Sequence, residues 1–112
     1  MSAEDRRVGQ VRTICQTAMG CARVVAKSDP GDDTFAYERQ TYQRRKLRAL
    51  QVTNLIRDRQ QIEAALHCII DLCMTAGEAK DAARLLSRIS SPTICETILR
   101  SHPVLARMGP MF

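Results

Sequence analysis

The sequence has no tryptophan and only two phenylalanines and two tyrosines among its 112 residues. Any core that this chain forms must therefore be mainly aliphatic and built from small side chains. No apolar run approaches the ~20 residues that a membrane-spanning helix requires, so no membrane association is expected. Glycine and proline are scarce, at five and four residues, and 45% of the chain is hydrophobic. This composition excludes collagen-like and low-complexity structure and predicts one globular domain over residues 1–112.

The patterns that usually mark an enzyme or a metal site are also missing. No glycine-rich loop precedes a helix, no serine lies in a nucleophile-elbow pattern, and no Cys-x-x-Cys occurs. We therefore expect no catalytic residue, no metal and no cofactor. Five cysteines are an odd number for a disulfide framework, and no apolar signal segment follows the N-terminal residues. An intracellular, reducing compartment is predicted, with the nucleus as one candidate.

Helical periodicity is what the sequence does contain. A first helix is predicted over Ala3–Lys27, with Ser2 as its N-cap. Its apolar residues recur at alternating spacings of three and four, which places them on one narrow stripe of a helix. This stripe, named the helix-one seam, consists of Val8, Val11, Cys15, Ala18, Ala22 and Val25. Two interpretations are open: the seam packs on the rest of its own chain, or it forms a homodimer with a second copy.

A second long helix is predicted to begin near Thr34, with Asp33 or Thr34 as its cap. The preceding loop, residues 28–33, combines Ser, Asp, Pro and Gly, each of which disfavours helix continuation. Apolar residues repeat every seven positions along this second helix: Phe35, Tyr42, Ala49 and Ile56. These two long helices occupy residues 1–57.

Three shorter and more apolar helices are predicted over residues 58–108. Asp58 followed by Gln61 has the spacing of an N-terminal cap, and Ser91 before Pro92 has that of another. The four residues from Thr75 to Glu78 match a capping box and predict a helix start there. The fold class that follows is all-α, with about five helices: two long N-terminal helices packed with a compact three-helix C-terminal bundle.

The densest basic run of the chain lies on the second helix, and its cations are Arg44, Arg45, Lys46 and Arg48. The formal net charge of the chain is +5, so an acidic partner is plausible on charge alone. One interpretation is a solvated face whose long stems cover apolar surface. The other is a nucleic-acid contact to phosphates, with affinity that falls as salt rises. We find no aromatic residues interleaved for base stacking, so a single-strand platform is not predicted.

The apolar stretch Ile62–Thr75, the pair Leu85-Leu86, and the segment Ile94–Ile98 together resemble a known helical module. This is the N-terminal domain of transcription elongation factor TFIIS and its relatives, among them the integrase-binding domain of lens-epithelium-derived growth factor. The resemblance covers residues 58–108. It implies a non-enzymatic adaptor, usually nuclear and connected with transcription, that binds short peptide motifs through its inter-helical loops. The partner-binding residues that it implies are Leu55, Ile56, Arg57, Asp58 and Ser91.

Three functions remain open from the sequence. The first is a helical protein–protein interaction module, which requires a groove of exposed apolar residues rimmed by charge. The second is a basic helical protein that contacts the backbone of duplex nucleic acid, which requires arginines on one surface without acidic neighbours. The third is a self-assembling helical protein that pairs through the helix-one seam.

Overall fold

The computed structural model of the protein describes residues 3–29, 31 and 33–108. Its helices are α1 (Ala3–Lys27), α2 (Ala36–Thr53), α3 (Arg59–Thr75), α4 (Ala79–Leu86), α5 (Pro92–Ser101) and α6 (Pro103–Arg107). A short 3-10 helix, Asp33–Phe35, precedes α2. The described ranges contain no strand. The all-α prediction is therefore confirmed, and five of the six helices have at least eight residues.

The first two long helices run antiparallel along one another. The side chain of Arg7, early in α1, donates to the carbonyl oxygen of Leu55, just after α2, at 2.8 Å. The side chain of Arg45, in the middle of α2, donates to the carbonyl oxygen of Thr17 at 2.6 Å. Early residues of one helix thus lie beside late residues of the other.

The helix-one seam is buried inside its own chain. Val11, Ala18 and Ala22 have no exposed surface, and Val8 and Cys15 have almost none, because α2 and α3 both pack against α1. The interpretation that the seam packs within the chain is confirmed. Val25, at the end of the seam, is half-buried. The homodimer predicted through Val8–Val25 is therefore wrong for the other five residues of the seam, because they already fill the core and present almost no surface to a second copy.

The core is one continuous cluster that joins residues from both halves of the chain. The central helix is α3, which packs against α1, α2, α4 and α5. Its inward residues are fully buried: Leu66, Ile69, Ile70, Leu72 and Cys73. This burial agrees with the apolar stripe that singled out the segment in the sequence.

Two of the predicted helix starts are confirmed by their hydrogen bonds. The Asp58 carboxylate accepts from the backbone N–H of Gln61 at 3.3 Å, and the Ser91 hydroxyl accepts from that of Ile94 at 3.4 Å. Ser2, the predicted cap of α1, lies outside the described residues. The cap predicted for α2 is wrong, because Phe35 occupies the N-cap position and makes no side-chain cap bond. The 3-10 helix Asp33–Phe35 leads directly into α2 instead.

The capping box predicted at residues 75–78 is wrong as well, because Thr75 is the last residue of α3 and Glu78 is the N-cap of α4, which begins at Ala79. The N–H of Gly77 donates to the Met74 carbonyl and the N–H of Glu78 to the Cys73 carbonyl, which together form a Schellman motif. Gly77 has a φ of 82°, the left-handed conformation that this motif requires. The Thr75 hydroxyl donates back to the Asp71 carbonyl, and the Glu78 side chain points to α2. The sequence of these four residues is compatible with a capping box at a helix start and with a Schellman motif at a helix end. Because α3 ends at the first of them, they form the Schellman motif.

Candidate binding groove between the first two helices

The basic run of α2 is divided between two faces of the helix. Arg44 and Arg48 point outward and are exposed, whereas Lys46 points to the turn before α4. Its ammonium group lies 2.7 Å from Glu78 Oε1 and 3.2 Å from Asp81 Oδ2, and its side chain is only 13% exposed. The prediction that Lys46 belongs to a nucleic-acid-binding surface is therefore wrong. A residue two positions before an outward arginine faces the other side of a helix.

Lys46 belongs to a polar cluster that joins α2 to α4. Glu78 accepts hydrogen bonds from the Tyr42 hydroxyl and from Lys46, and Tyr42 also lies under the Lys46 ammonium at 5.3 Å. Burial raises the pKa of Tyr42, and its hydrogen bond to Glu78 raises it further. Burial alone would lower the pKa of Lys46, but its contacts with Glu78 outweigh that effect and raise it. The cluster therefore stabilises the fold with a charged lysine and a neutral tyrosine.

An open groove runs between α1 and α2 on the side of the hairpin that carries Arg44 and Arg48. It consists of two cavities of about 470 and 590 Å³ that meet at Ile14 and Arg48. On the α1 side it is lined by Gly9, Gln10, Thr13, Ile14 and Thr17. On the α2 side it is lined by Tyr37, Thr41, Arg44, Arg45, Arg48 and Val52. We call this feature the α1–α2 groove.

The floor of the groove is apolar, and its α2 wall is cationic. Ile14 is half-buried and presents aliphatic surface at the bottom, whereas Val52, which is 2% exposed, lies beneath the floor and is covered by its own chain. Arg45 reaches across from α2 to the Thr17 carbonyl of α1, which holds the two walls together. Arg44 and Arg48 lie one turn apart on the α2 wall, about 6 Å along the helix axis.

Among the described residues, no acidic side chain lines either cavity. Glu38, in the first turn of α2, lines neither of them, and Glu78 and Asp81 are held by Lys46 on the opposite side of α2. No ion pair of the described residues includes Arg44 or Arg48. Within this part of the chain, no ion pair therefore neutralises the positive charge of the groove.

The residue that sequence analysis missed is Tyr37, which is 73% exposed and lines the same cavity as the arginines. It precedes Arg44 by seven residues and Arg48 by eleven, so all three lie on one stripe of α2. That spacing was readable in the sequence. Leu47 and Leu55, both more than half exposed, add apolar surface to the outer side of this helix and to the turn after it.

The second predicted site, in the loops 55–58 and at Ser91, is only partly on the surface. Ile56 is 4% exposed and belongs to the core, so its assignment as a partner-binding residue is wrong. Its position in the seven-residue repeat with Tyr42 and Ala49 already indicated burial. The Leu55 side chain and Arg57 are exposed, whereas Asp58 and Ser91 cap helices. Binding of a partner by these exposed residues stays a prediction.

The two loops nevertheless lie near one another, because Glu63 of α3 holds the second loop. This carboxylate is 2% exposed and accepts hydrogen bonds from the backbone N–H groups of Ser90 and Ser91, at 3.1 and 3.2 Å. Arg59 lies 3.0 Å from it and also donates to the Arg88 carbonyl. Burial would raise the pKa of Glu63, but the hydrogen bonds and Arg59 lower it. An ionised, fully bonded glutamate thus fixes the α4–α5 loop.

The cysteines and histidines do not form a recognisable reactive centre. All five cysteines are free, and burial raises the pKa of Cys15 to about 12 and that of Cys73 to about 11, so both thiols stay protonated at neutral pH. Asp71 lies 2.7 Å from His102 Nε2 and 3.6 Å from His67 Nε2. Within the described residues, no group of three or more His, Cys, Asp or Glu side chains could hold a metal ion.

Comparisons of this chain with protein-family models, with curated proteins and with solved structures find no match. The resemblance of residues 58–108 to the TFIIS N-terminal domain therefore stays a prediction. A search of the described helices for one that is long and apolar enough to cross a membrane finds none.

Proposed function

We propose that this chain is a non-enzymatic protein-interaction module whose α1–α2 groove binds an acidic segment of a partner protein. One observation carries the proposal: the half-buried Ile14 lies in the same cavity as Arg44 and Arg48, and no acidic side chain among the described residues lines that cavity. A protein segment with both acidic and apolar side chains satisfies both parts of such a surface. Arginine and tyrosine are also the residues that most often contribute binding energy at protein interfaces.

Binding of nucleic acid is the second candidate, and the arginine stripe of α2 favours it. Arg44 and Arg48 are free to contact phosphates, and Tyr37 on the same stripe offers one ring for stacking. The apolar floor argues for the first candidate, because a phosphate backbone has no side chain to cover Ile14. The α1 wall is also uncharged, so only one side of the groove attracts phosphates.

The experiment that separates the two candidates measures binding of two probes by fluorescence anisotropy. The first probe is a labelled synthetic peptide rich in Glu and Leu, and the second is a labelled RNA or DNA duplex. We expect the peptide to bind at moderate salt and the duplex to bind weakly and only at low salt. Tight duplex binding, with no binding of the peptide, would show that the nucleic-acid candidate is the correct one.

The variant Arg44→Ala/Arg48→Ala assigns the binding to the groove. Each exposed arginine–carboxylate contact contributes about 0.5–1 kcal/mol, so the double variant should weaken peptide binding on the order of tenfold. The matched control is Arg84→Ala/Arg88→Ala, which removes two exposed arginines at the same sequence spacing, one from α4 and one from the turn after it. We expect the control to bind the peptide like the parent protein. Equal weakening by both variants would mean that only net charge matters.

A further inference from the structure

Resting on the proposed function, we infer that the acidic segment binds as an amphipathic α-helix lying along the α1–α2 groove. Its acidic side chains, one turn apart, pair with Arg44 and Arg48, and its apolar side chains cover Ile14. The bound helix then lies on the side of the α1–α2 hairpin that α3 of this protein does not cover.

Hydrogen bonding is the first argument for a helix over an extended segment. Both walls of the groove are α-helices, whose backbone N–H and C=O groups are bonded within each helix away from the ends. The groove therefore offers no strand edge with which an extended peptide could pair. An extended segment that packs on Ile14 would bury its own backbone groups without partners, at a large cost. A helical segment satisfies them internally.

The dimensions of the groove are the second argument. Its α2 wall extends from Tyr37 to Val52, which is 15 residues of helix and about 22 Å. A helix of about 15 residues covers that length, which is a common size for peptides recognised in helical grooves.

The α1 wall provides the room that a third helix needs. The residues that it presents to the groove include Gly9, Thr13 and Thr17, which are all short. A Cβ atom added to Gly9 would meet nothing within 4 Å, so the space beside it is open. On the other wall, Arg44 and Arg48 are about 6 Å apart along the axis, the separation of two helical residues at positions i and i+4. The two walls thus match one amphipathic helix, with its acidic edge on α2.

The test compares three peptides of about 18 residues that differ in pattern. The first has Leu at helical spacing with two Glu four residues apart on the edge of the Leu face. The second is an isomer of the same composition in which Leu and Glu alternate, as in a strand. The third is the first peptide with a central proline. Dissociation constants are measured by fluorescence anisotropy, and helicity is followed by circular dichroism during titration with the full chain.

We expect the helical peptide to bind about tenfold more tightly than its alternating isomer and to gain helicity on binding. The central proline should weaken binding by tenfold or more, because it breaks the helix. If the alternating isomer binds equally well and depends on Arg44 and Arg48, the helical inference is wrong and the proposed function stands. If no peptide binds, or if only the duplex does, the proposed function is wrong and this inference with it.

Discussion

Replacement of Lys46 by methionine tests whether the basic run of α2 is divided into a structural and a binding part. Lys46 makes two charge-assisted hydrogen bonds, to Glu78 and Asp81, and its side chain is 13% exposed. Bonds to charged groups contribute about 1.5–3 kcal/mol each. Met keeps the aliphatic stem, and Glu78 retains Tyr42 as a donor. Asp81 keeps an exposed pairing with Arg84, at 3.4 Å. We therefore expect a net loss of about 2 kcal/mol in the free energy of unfolding.

The assay is urea unfolding followed by circular dichroism at pH 7, with thermal unfolding as a second measurement. A loss of about 2 kcal/mol lowers Tm by about 8 °C for a domain of this size. The matched control is Arg48→Met, which makes the same chemical change at an exposed residue outside any ion pair of the described chain. Its free energy of unfolding should change by less than about 0.5 kcal/mol. Equal stability of the two variants would refute the assignment of Lys46.

The pH dependence of stability gives an independent check on the same cluster. Folding raises the pKa of Lys46 above 10.5 and that of Tyr42 above 10.0. A raised pKa means that the folded state holds the proton more tightly, so this stabilisation is complete below about pH 10. It is lost as the pH rises from 10 through the folded-state pKa values. We expect Lys46→Met to lose less stability than the parent protein when the pH is raised from about 9 to about 11.

Four further substitutions test other parts of the fold. Ile56→Asp should unfold the chain, because it buries a carboxylate at a residue 4% exposed, whereas Leu55→Asp should leave the circular-dichroism spectrum and Tm unchanged. Glu63→Gln should cost about 2–3 kcal/mol in urea unfolding and reduce acid sensitivity, since the lowered pKa of Glu63 makes the parent lose stability as pH falls below 4.5. Gly77→Ala should cost about 1 kcal/mol through its positive φ, and a Tm equal to the parent's would contradict the Schellman assignment.

The candidate site was only half predictable from the sequence. The stripe of Tyr37, Arg44 and Arg48 follows from helical spacing alone, although the tyrosine was overlooked. The groove itself was not predictable, because it depends on which side of the α1–α2 hairpin α3 occupies. The charge of the groove was not predictable either. It depends on the pairing of Lys46 with Glu78 and Asp81 on the opposite side of α2. These contacts join residues more than 30 positions apart in the sequence.

Local patterns determined the helices of this protein, because helix formation depends on propensities and caps within a few residues of each other. The sequence therefore predicted α1 to its ends, the starts of α3 and α5, and the placement of the seam residues on one stripe. Tertiary structure decided what lies against each stripe. It decided that Thr75–Glu78 ends a helix, that Ile56 belongs to the core, and that Arg44 and Arg48 face an open groove. Such outcomes depend on packing between distant segments, which no local window contains.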